Sequence, residues 1–192
     1  MNKDMANYFD RLAPDWANDP SGYGTREKIT SMMNLPPGGV IADIGCGKGV
    51  MFEHLLKTNP SKIFAVDVSS EMLRFAANLI HDDRIELIND DFLDIDLPRL
   101  DAAVFFNAYP HFMDKNALAE KLAETVKRNG KIIIAHNNGK LKINSRHMGQ
   151  DTLKLSMPLE NAEAEAAKFQ RFFSLDGQID KDDIYFIKMT RR

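Results

Sequence analysis

Three glycines alternate with single residues in Gly45-Cys46-Gly47-Lys48-Gly49, directly after the apolar run Val40-Ile41-Ala42-Asp43-Ile44. Glycine admits positive φ and lets another molecule approach the main chain closely. A strand that runs into such a turn and then into a helix presents backbone N–H groups, and a nucleotide-like ligand is its natural guest. Alone, the pattern is common. A second apolar run, Ile63-Phe64-Ala65-Val66, ends in Asp67, a little over twenty residues past the glycines. An acid at that place can accept hydrogen bonds from ribose hydroxyls. Its competing role is to cap the next helix, but Ser69 and Ser70 are both available for that.

The chain around this feature alternates. Val40–Ile44 and residues 63–67, 85–88, 102–106 and 131–135 read as strands, and residues 50–57, 70–79 and 116–127 as helices. Such alternation argues for βαβ units and a parallel sheet. The end differs: residues 159–171 read as a helix, and two strand-like runs follow, 172–175 (reaching 179 at most) and 184–189. Asp180-Lys181-Asp182-Asp183 suits a turn between them, so the last pair forms an antiparallel hairpin. Ahead of the sheet lies a helical stretch up to Met33. Tyr8, Leu12 and Trp16 recur every four residues with Phe9 beside them, which makes one apolar face. Pro14 weakens that helix, Asp19-Pro20-Ser21-Gly22 breaks it, and residues 25–33 form a second. Pro36-Pro37-Gly38-Gly39 closes the segment. The expected organisation is a helical lid over residues 1–34 and a single compact α/β unit over 35–192.

Two cofactor classes use this geometry. The dinucleotide fingerprint Gly-x-Gly-x-x-Gly/Ala fails here, because Val50 stands at the third glycine's place and Gly49 comes one residue early. Asp43 at the strand end is also ill-suited to a pyrophosphate and better suited to a ligand with positive charge. At this point the sequence resembles a known family. Asp43-Ile44-Gly45-Cys46-Gly47-Lys48-Gly49 is similar to the first motif of the class I S-adenosylmethionine-dependent methyltransferases. Asp67 resembles their second-strand acid, Asn89-Asp90-Asp91-Phe92 their third-strand motif, and Asn107 their fourth. The resemblance runs from about Tyr8 to Lys188. It implies a Rossmann-like, doubly wound, mostly parallel seven-stranded sheet ending in an antiparallel hairpin. It also implies that Gly45, Cys46, Gly47 and Gly49 pass under the methionine part of S-adenosylmethionine, that Val68 and Met72 border the adenosine, and that Asp91 and Phe92 hold the adenine. Three of the four acids Asp90, Asp91, Asp94 and Asp96 then read as a solvated acidic loop.

Substrate contacts are expected from the loops after the fourth and fifth strands and from the lid. The family's amino-directed nucleic-acid members carry Asn or Asp, two prolines and an aromatic after the fourth strand. Here the segment is Asn107-Ala108-Tyr109-Pro110-His111-Phe112. Ala108 and Tyr109 in place of the prolines argue against a base amino group as acceptor and leave Tyr109 and His111 as candidate catalytic residues. His136, at the end of the fifth strand, is a third candidate, placed to act as a general base. After it come Lys140, Lys142, Arg146 and His147, a basic cluster that either is a solvated loop or receives an acidic acceptor. Trp16 and Tyr23 are candidate acceptor contacts, able to stack on a cation or simply to pack in the core. Imidazole suits zinc, iron and nickel, but His111, His136 and His147 lack helical or hairpin ligand spacing, so no metal is expected.

Composition narrows the partners. Twenty-five Lys and Arg stand against 28 Asp and Glu, and nucleic-acid binders usually show a basic excess. No apolar run approaches the roughly 20 residues of a membrane span, and no apolar h-region follows the N-terminus. A single cysteine, Cys46, forms no internal disulfide. The expectation is a cytoplasmic enzyme, monomer or homodimer, that methylates a small molecule and releases S-adenosylhomocysteine. No nucleic acid and no membrane is expected as a partner. The competing readings are an RNA or protein methyltransferase, a cofactor-binding module without turnover, and a nicotinamide-dependent reductase.

Overall fold

Strand β1 (Val40–Ile44) lies inside the sheet, and its residues are largely buried on both faces, as a parallel strand covered by helices requires. It pairs in parallel with β2 (Lys62–Asp67) on one side and β4 (Leu100–Phe106) on the other. β3 (Ile85–Asn89) extends the first side and β5 (Val126–His136) the second. β7 (Ile184–Arg191) then adds to β5 antiparallel, and β6 (Phe173–Lys181) closes the edge. The sheet has seven strands in the order β3-β2-β1-β4-β5-β7-β6. The computed structural model describes residues 3–16, 22–146 and 154–192.

Strand alternation divides the core between two faces. Ala103, Phe105, Ile132 and Ile134 pack on one face against Leu118 and Leu122 of α5 (Lys115–Thr125) and Ala162 and Ala166 of α7 (Ala162–Ala167). Ala102, Val104, Ile133 and Ala135 pack on the other. There they meet Ile29 and Met33 of α2 (Tyr23–Met33) and Leu55 of α3 (Phe52–Leu56). The helices start where polar side chains take their first N–H groups. Ser69 Oγ accepts from Met72 N at α4 (Ser70–Ala77), and Asp114 accepts from Asn116 N and Ala117 N at α5. No helix among the described residues is long and apolar enough to cross a membrane.

The sheet and its hairpin match the expectation; several boundaries do not. The helix expected over 50–57 is only Phe52–Leu56. The helix expected over 116–127 gives way at Val126, where β5 begins with a bulge that separates the Leu100–Val126 pair from the Ala102–Lys131 pair. The long C-terminal helix is short, because Asn161 caps it and Phe169 turns back into the core. The basic stretch after β5, expected as loop, forms α6 (Lys140–Arg146). At the N-terminus, α1 (Lys3–Leu12) buries Met5 and Ala6 rather than the Tyr8–Leu12–Trp16 stripe, and Trp16 lies past its end.

Candidate active site

Connections leave β1 toward β2 and β3 on one side, while β4 and β5 lie on the other. In an open α/β sheet the crevice at that reversal, beyond the carboxyl ends of the strands, is where ligands bind. A cavity of about 350 Å³ lies there, lined by the ends of β1, β2 and β4, the loop after β3 and the N-terminal segment.

The glycine loop is tied to β2 by its own backbone. Gly45 N and Cys46 N both donate to Val66 O, at 2.8 and 3.2 Å, and Gly49 N donates to Cys46 O at 2.9 Å. Gly45 has φ +70, and a Cβ there would sit 2.5 Å from Ala108 Cβ, so it permits the close approach of the β1 and β4 loops. Gly47 has φ +55 and nothing within 4 Å of an added Cβ; it keeps the main chain bare toward the cavity it lines. Gly49 differs. A Cβ there would strike the Phe52 ring at 2.5 Å, and Gly49 does not line the cavity, so it serves packing.

Asp67 is held from two sides. Its Oδ2 accepts from Gly47 N at 2.8 Å and its Oδ1 from Ser69 N at 2.9 Å. A carboxylate has about four acceptor sites, so capacity remains on the side that lines the cavity. Burial raises its pKa, and the two N–H donors oppose that rise. Asp43 is 1 % exposed, lies outside the cavity lining, and leaves Oδ2 without a partner. Burial first and the Asp67 charge second push it up to about 7. Asp43 therefore holds its proton into the neutral range. Asp91 and Phe92 line the cavity beyond β3. There Asp91 Oδ1 accepts from Leu93 N at 3.1 Å, and the Phe92 ring is set edge-on to Phe105 at 6.4 Å.

Facing the glycine loop, β4 ends in Asn107, which has φ 56 and lines the cavity. Its Nδ2 donates to Asn137 Oδ1 at 3.0 Å, which links the loops after β4 and β5. The next residues form a short 3-10 turn, Tyr109–His111. His111 lines the cavity, with Nδ1 2.9 Å from Leu155 O and its ring edge-on to Phe9 at 5.0 Å.

Other expected residues lie elsewhere. Tyr109 is buried away from the cavity. Its hydroxyl donates to Glu165 Oε2 at 2.6 Å, its carbonyl accepts from Lys115 Nζ at 2.7 Å, and burial followed by the Glu165 charge drives its pKa far up. His136 is buried against Tyr185, with ring centroids 5.9 Å apart, outside the lining. Tyr23 donates to Glu53 Oε1 at 2.8 Å on the outer surface. Lys140 pairs with Asp180, and Arg146 is exposed at the end of α6; neither lines the cavity. His147 lies outside the described residues. Of the candidate catalytic residues, only His111 reaches the cavity, and of the described candidate acceptor contacts, only Trp16. Cys46, Val68 and Met72 also line it.

Several lining residues carry no motif. Met5 and Phe9 come from α1, and Phe112, Met113 and Asp114 follow the 3-10 turn. Asp10 on α1 fastens that helix across the site: its Oδ1 accepts from Ser69 Oγ at 2.6 Å and from Glu71 N at 3.0 Å, at the start of α4. Met5 and Phe9 share the i, i+4 spacing of a helix face, which is the one local signal that could have found them.

Residues 41–130 match the family model of a methyltransferase domain. Over 107 residues the chain is 29% identical to the 2-methyl-6-phytyl-1,4-hydroquinone methyltransferase of Synechocystis, a stretch covering 54% of this chain and 34% of that protein. Over 97 residues it is 31% identical to the malonyl-(acyl-carrier protein) O-methyltransferase of Priestia megaterium, covering 50% of this chain and 35% of that one. The chain thus spans about a third of the length of these curated relatives. Among solved structures, the N-methyltransferase NodS of Bradyrhizobium japonicum in complex with S-adenosyl-L-homocysteine shares the fold. Its TM-score is 0.76 at 11% identity, with 98% of each chain covered.

Proposed function

We propose, on the premise that this chain belongs to the class I, Rossmann-like S-adenosylmethionine-dependent methyltransferases, that it carries a methyl group from that cofactor to a small-molecule acceptor. The observation that carries this reading is Asp67: a carboxylate pinned by Gly47 N and Ser69 N at the end of β2, lining the cavity beside a glycine that leaves the main chain bare. Such a carboxylate fits ribose hydroxyls, which donate. It does not fit a pyrophosphate. Lys48 is the one Lys or Arg among the described lining residues, against Asp67, Asp90, Asp91 and Asp114, and α3 starts too late and is too short to aim a helix N-terminus at phosphates. Asp91 and Phe92 fit an adenine, one by its charge and one by its ring.

When bound, S-adenosylmethionine supplies a methyl group on a sulfonium, already an excellent leaving group. The protein then has to hold an acceptor in line with it and keep water out, and positioning of this kind supplies roughly 7–11 kcal/mol of a barrier. Here α1, held down by Asp10, walls the cavity with Met5 and Phe9, and Trp16 joins them from just past its end. His111 is the titratable group on the acceptor side. Its Nδ1 faces a carbonyl, which only accepts, so Nδ1 carries the proton and the neutral ring has its lone pair on Nε2. That nitrogen can take a proton from an acceptor as the bond to the methyl carbon forms.

The reading is tested by incubating the protein with S-adenosylmethionine and separate pools of amines, phenols, carboxylates and RNA, then measuring S-adenosylhomocysteine by mass spectrometry. Release with a small-molecule pool and one added methyl on a pool member is the expected result. Release with RNA alone, or with no pool, refutes the acceptor class.

A further inference from the structure

The cavity has two unlike halves. Asp67, Asp91, Phe92 and the glycines make the cofactor half. The rest of the lining includes Met5, Phe9, Trp16, His111, Phe112 and Met113, together with Asp114, whose Oδ1 also caps α5. Three of these rings are interlocked: Phe9 meets Trp16 edge-on at 6.0 Å and His111 edge-on at 5.0 Å. The one Lys or Arg among the described lining residues is already engaged. Lys48 Nζ donates to Trp16 O at 2.8 Å and lies 4.1 Å from the centroid of the Phe75 ring. Among the described residues, the basic ones expected to draw an anionic acceptor lie elsewhere, with Lys140 on Asp180 and Arg146 outside the lining.

We infer that the acceptor is an aromatic or similarly apolar amine that arrives as a cation, an inference that rests on the methyl-transfer reading above. Its apolar body suits the ring-and-thioether wall, and its ammonium suits both the faces of Phe9 and Trp16 and the excess of carboxylates. A carboxylate or phosphate acceptor meets that same excess as repulsion. The step balances. The ammonium gives a proton to His111 Nε2, and the freed nitrogen lone pair forms the bond to the methyl carbon. The carbon–sulfur bond breaks with its electrons staying on sulfur, which leaves a neutral thioether. The product is the methylated ammonium, and His111 returns its proton to solvent.

The test uses the whole chain, first titrated with S-adenosylhomocysteine by calorimetry and then, loaded, with two probes that differ only in charge: phenethylamine and phenylpropionate. The amine is expected to bind at least tenfold more tightly than the acid. Asp114→Asn keeps a good helix cap and should narrow that gap, and Trp16→Ala should weaken the amine severalfold. Equal or tighter binding of phenylpropionate overturns the inference. So does binding of neither probe to protein that holds S-adenosylhomocysteine. If that first titration shows no binding, the methyl-transfer reading fails and takes this inference with it.

Discussion

Two loops meet at the centre of the site, and they are built in opposite ways. The loop after β1 and the loop after β4 leave neighbouring parallel strands, and each turns on a residue with positive φ, Gly45 at +70 and Asn107 at +56. The first is fastened to the strand beside it: Gly45 N and Cys46 N bond to Val66 O, Gly47 N to Asp67 Oδ2, and Gly49 N closes the turn on Cys46 O. The second is held by residues far along the chain. Asn107 bonds to Asn137, His111 to Leu155, and Tyr109 to Glu165, at separations of 30, 44 and 56 residues. A loop fastened to the next strand of the sheet can be shared among proteins with different acceptors. A loop supported from afar can change with whatever packs behind it.

Breaking the contact between the loops should have the largest effect. Gly45→Ala puts a methyl group 2.5 Å from Ala108 Cβ at a backbone position that L side chains rarely adopt. The cost is about 2–4 kcal/mol of stability, read by chemical denaturation, with loss of cofactor binding. His111→Leu acts on one side only. Turnover should fall about a hundredfold or more, while S-adenosylhomocysteine affinity measured by calorimetry holds; an equal fall in both would merge the two halves.

Asp43 sharpens the contrast through pH. Its pKa is about 7 in the fold, well above the ordinary 3.8. The folded protein therefore binds this proton more tightly than the unfolded chain does. The resulting stability is full below about pH 4, is lost as pH rises toward 7, and stays absent above. Asp43→Asn does not titrate, so relative to wild type it should gain about 4 kcal/mol between pH 4 and pH 8. A flat difference across that range would mean that Asp43 stays ionised throughout. Tyr109→Phe should cost about 1–2 kcal/mol, because Glu165 loses a buried donor, and should leave S-adenosylhomocysteine affinity unchanged. Asp10→Asn is expected to have the smallest effect, a few-fold weaker affinity as the clasp between α1 and α4 loosens.

What the sequence reveals follows the same division. Gly45, Gly47 and Asp67 are legible because strand, turn and acid follow one another at short range, and all three line the cavity. Gly49 and Asp43 belong to the same motif yet serve from behind it, one clearing space for Phe52 and one buried under the loop. A motif marks a place in the chain without saying which way each side chain points. On the acceptor side, Tyr109 and His136 look reactive by type and position, but the first is drawn into the core by Glu165 and the second packs on Tyr185. Neither partner is within reach of a local pattern. The stripe on α1 is half right: Phe9 and Trp16 of the expected face line the cavity, but the buried residues of the helix are Met5 and Ala6, a small rotation away, and only the packing on α4 decides this.

The account stands or falls on what the cofactor half binds. Calorimetry with S-adenosylhomocysteine, S-adenosylmethionine, NADH and NADPH, on wild type and on Asp67→Ala, addresses this directly. Micromolar binding of the two sulfur compounds is expected, weakened at least tenfold (about 1.4 kcal/mol) in Asp67→Ala, with no binding of either nicotinamide. Tighter binding of NADH or NADPH, or sulfur-compound binding untouched by the loss of Asp67, would contradict it.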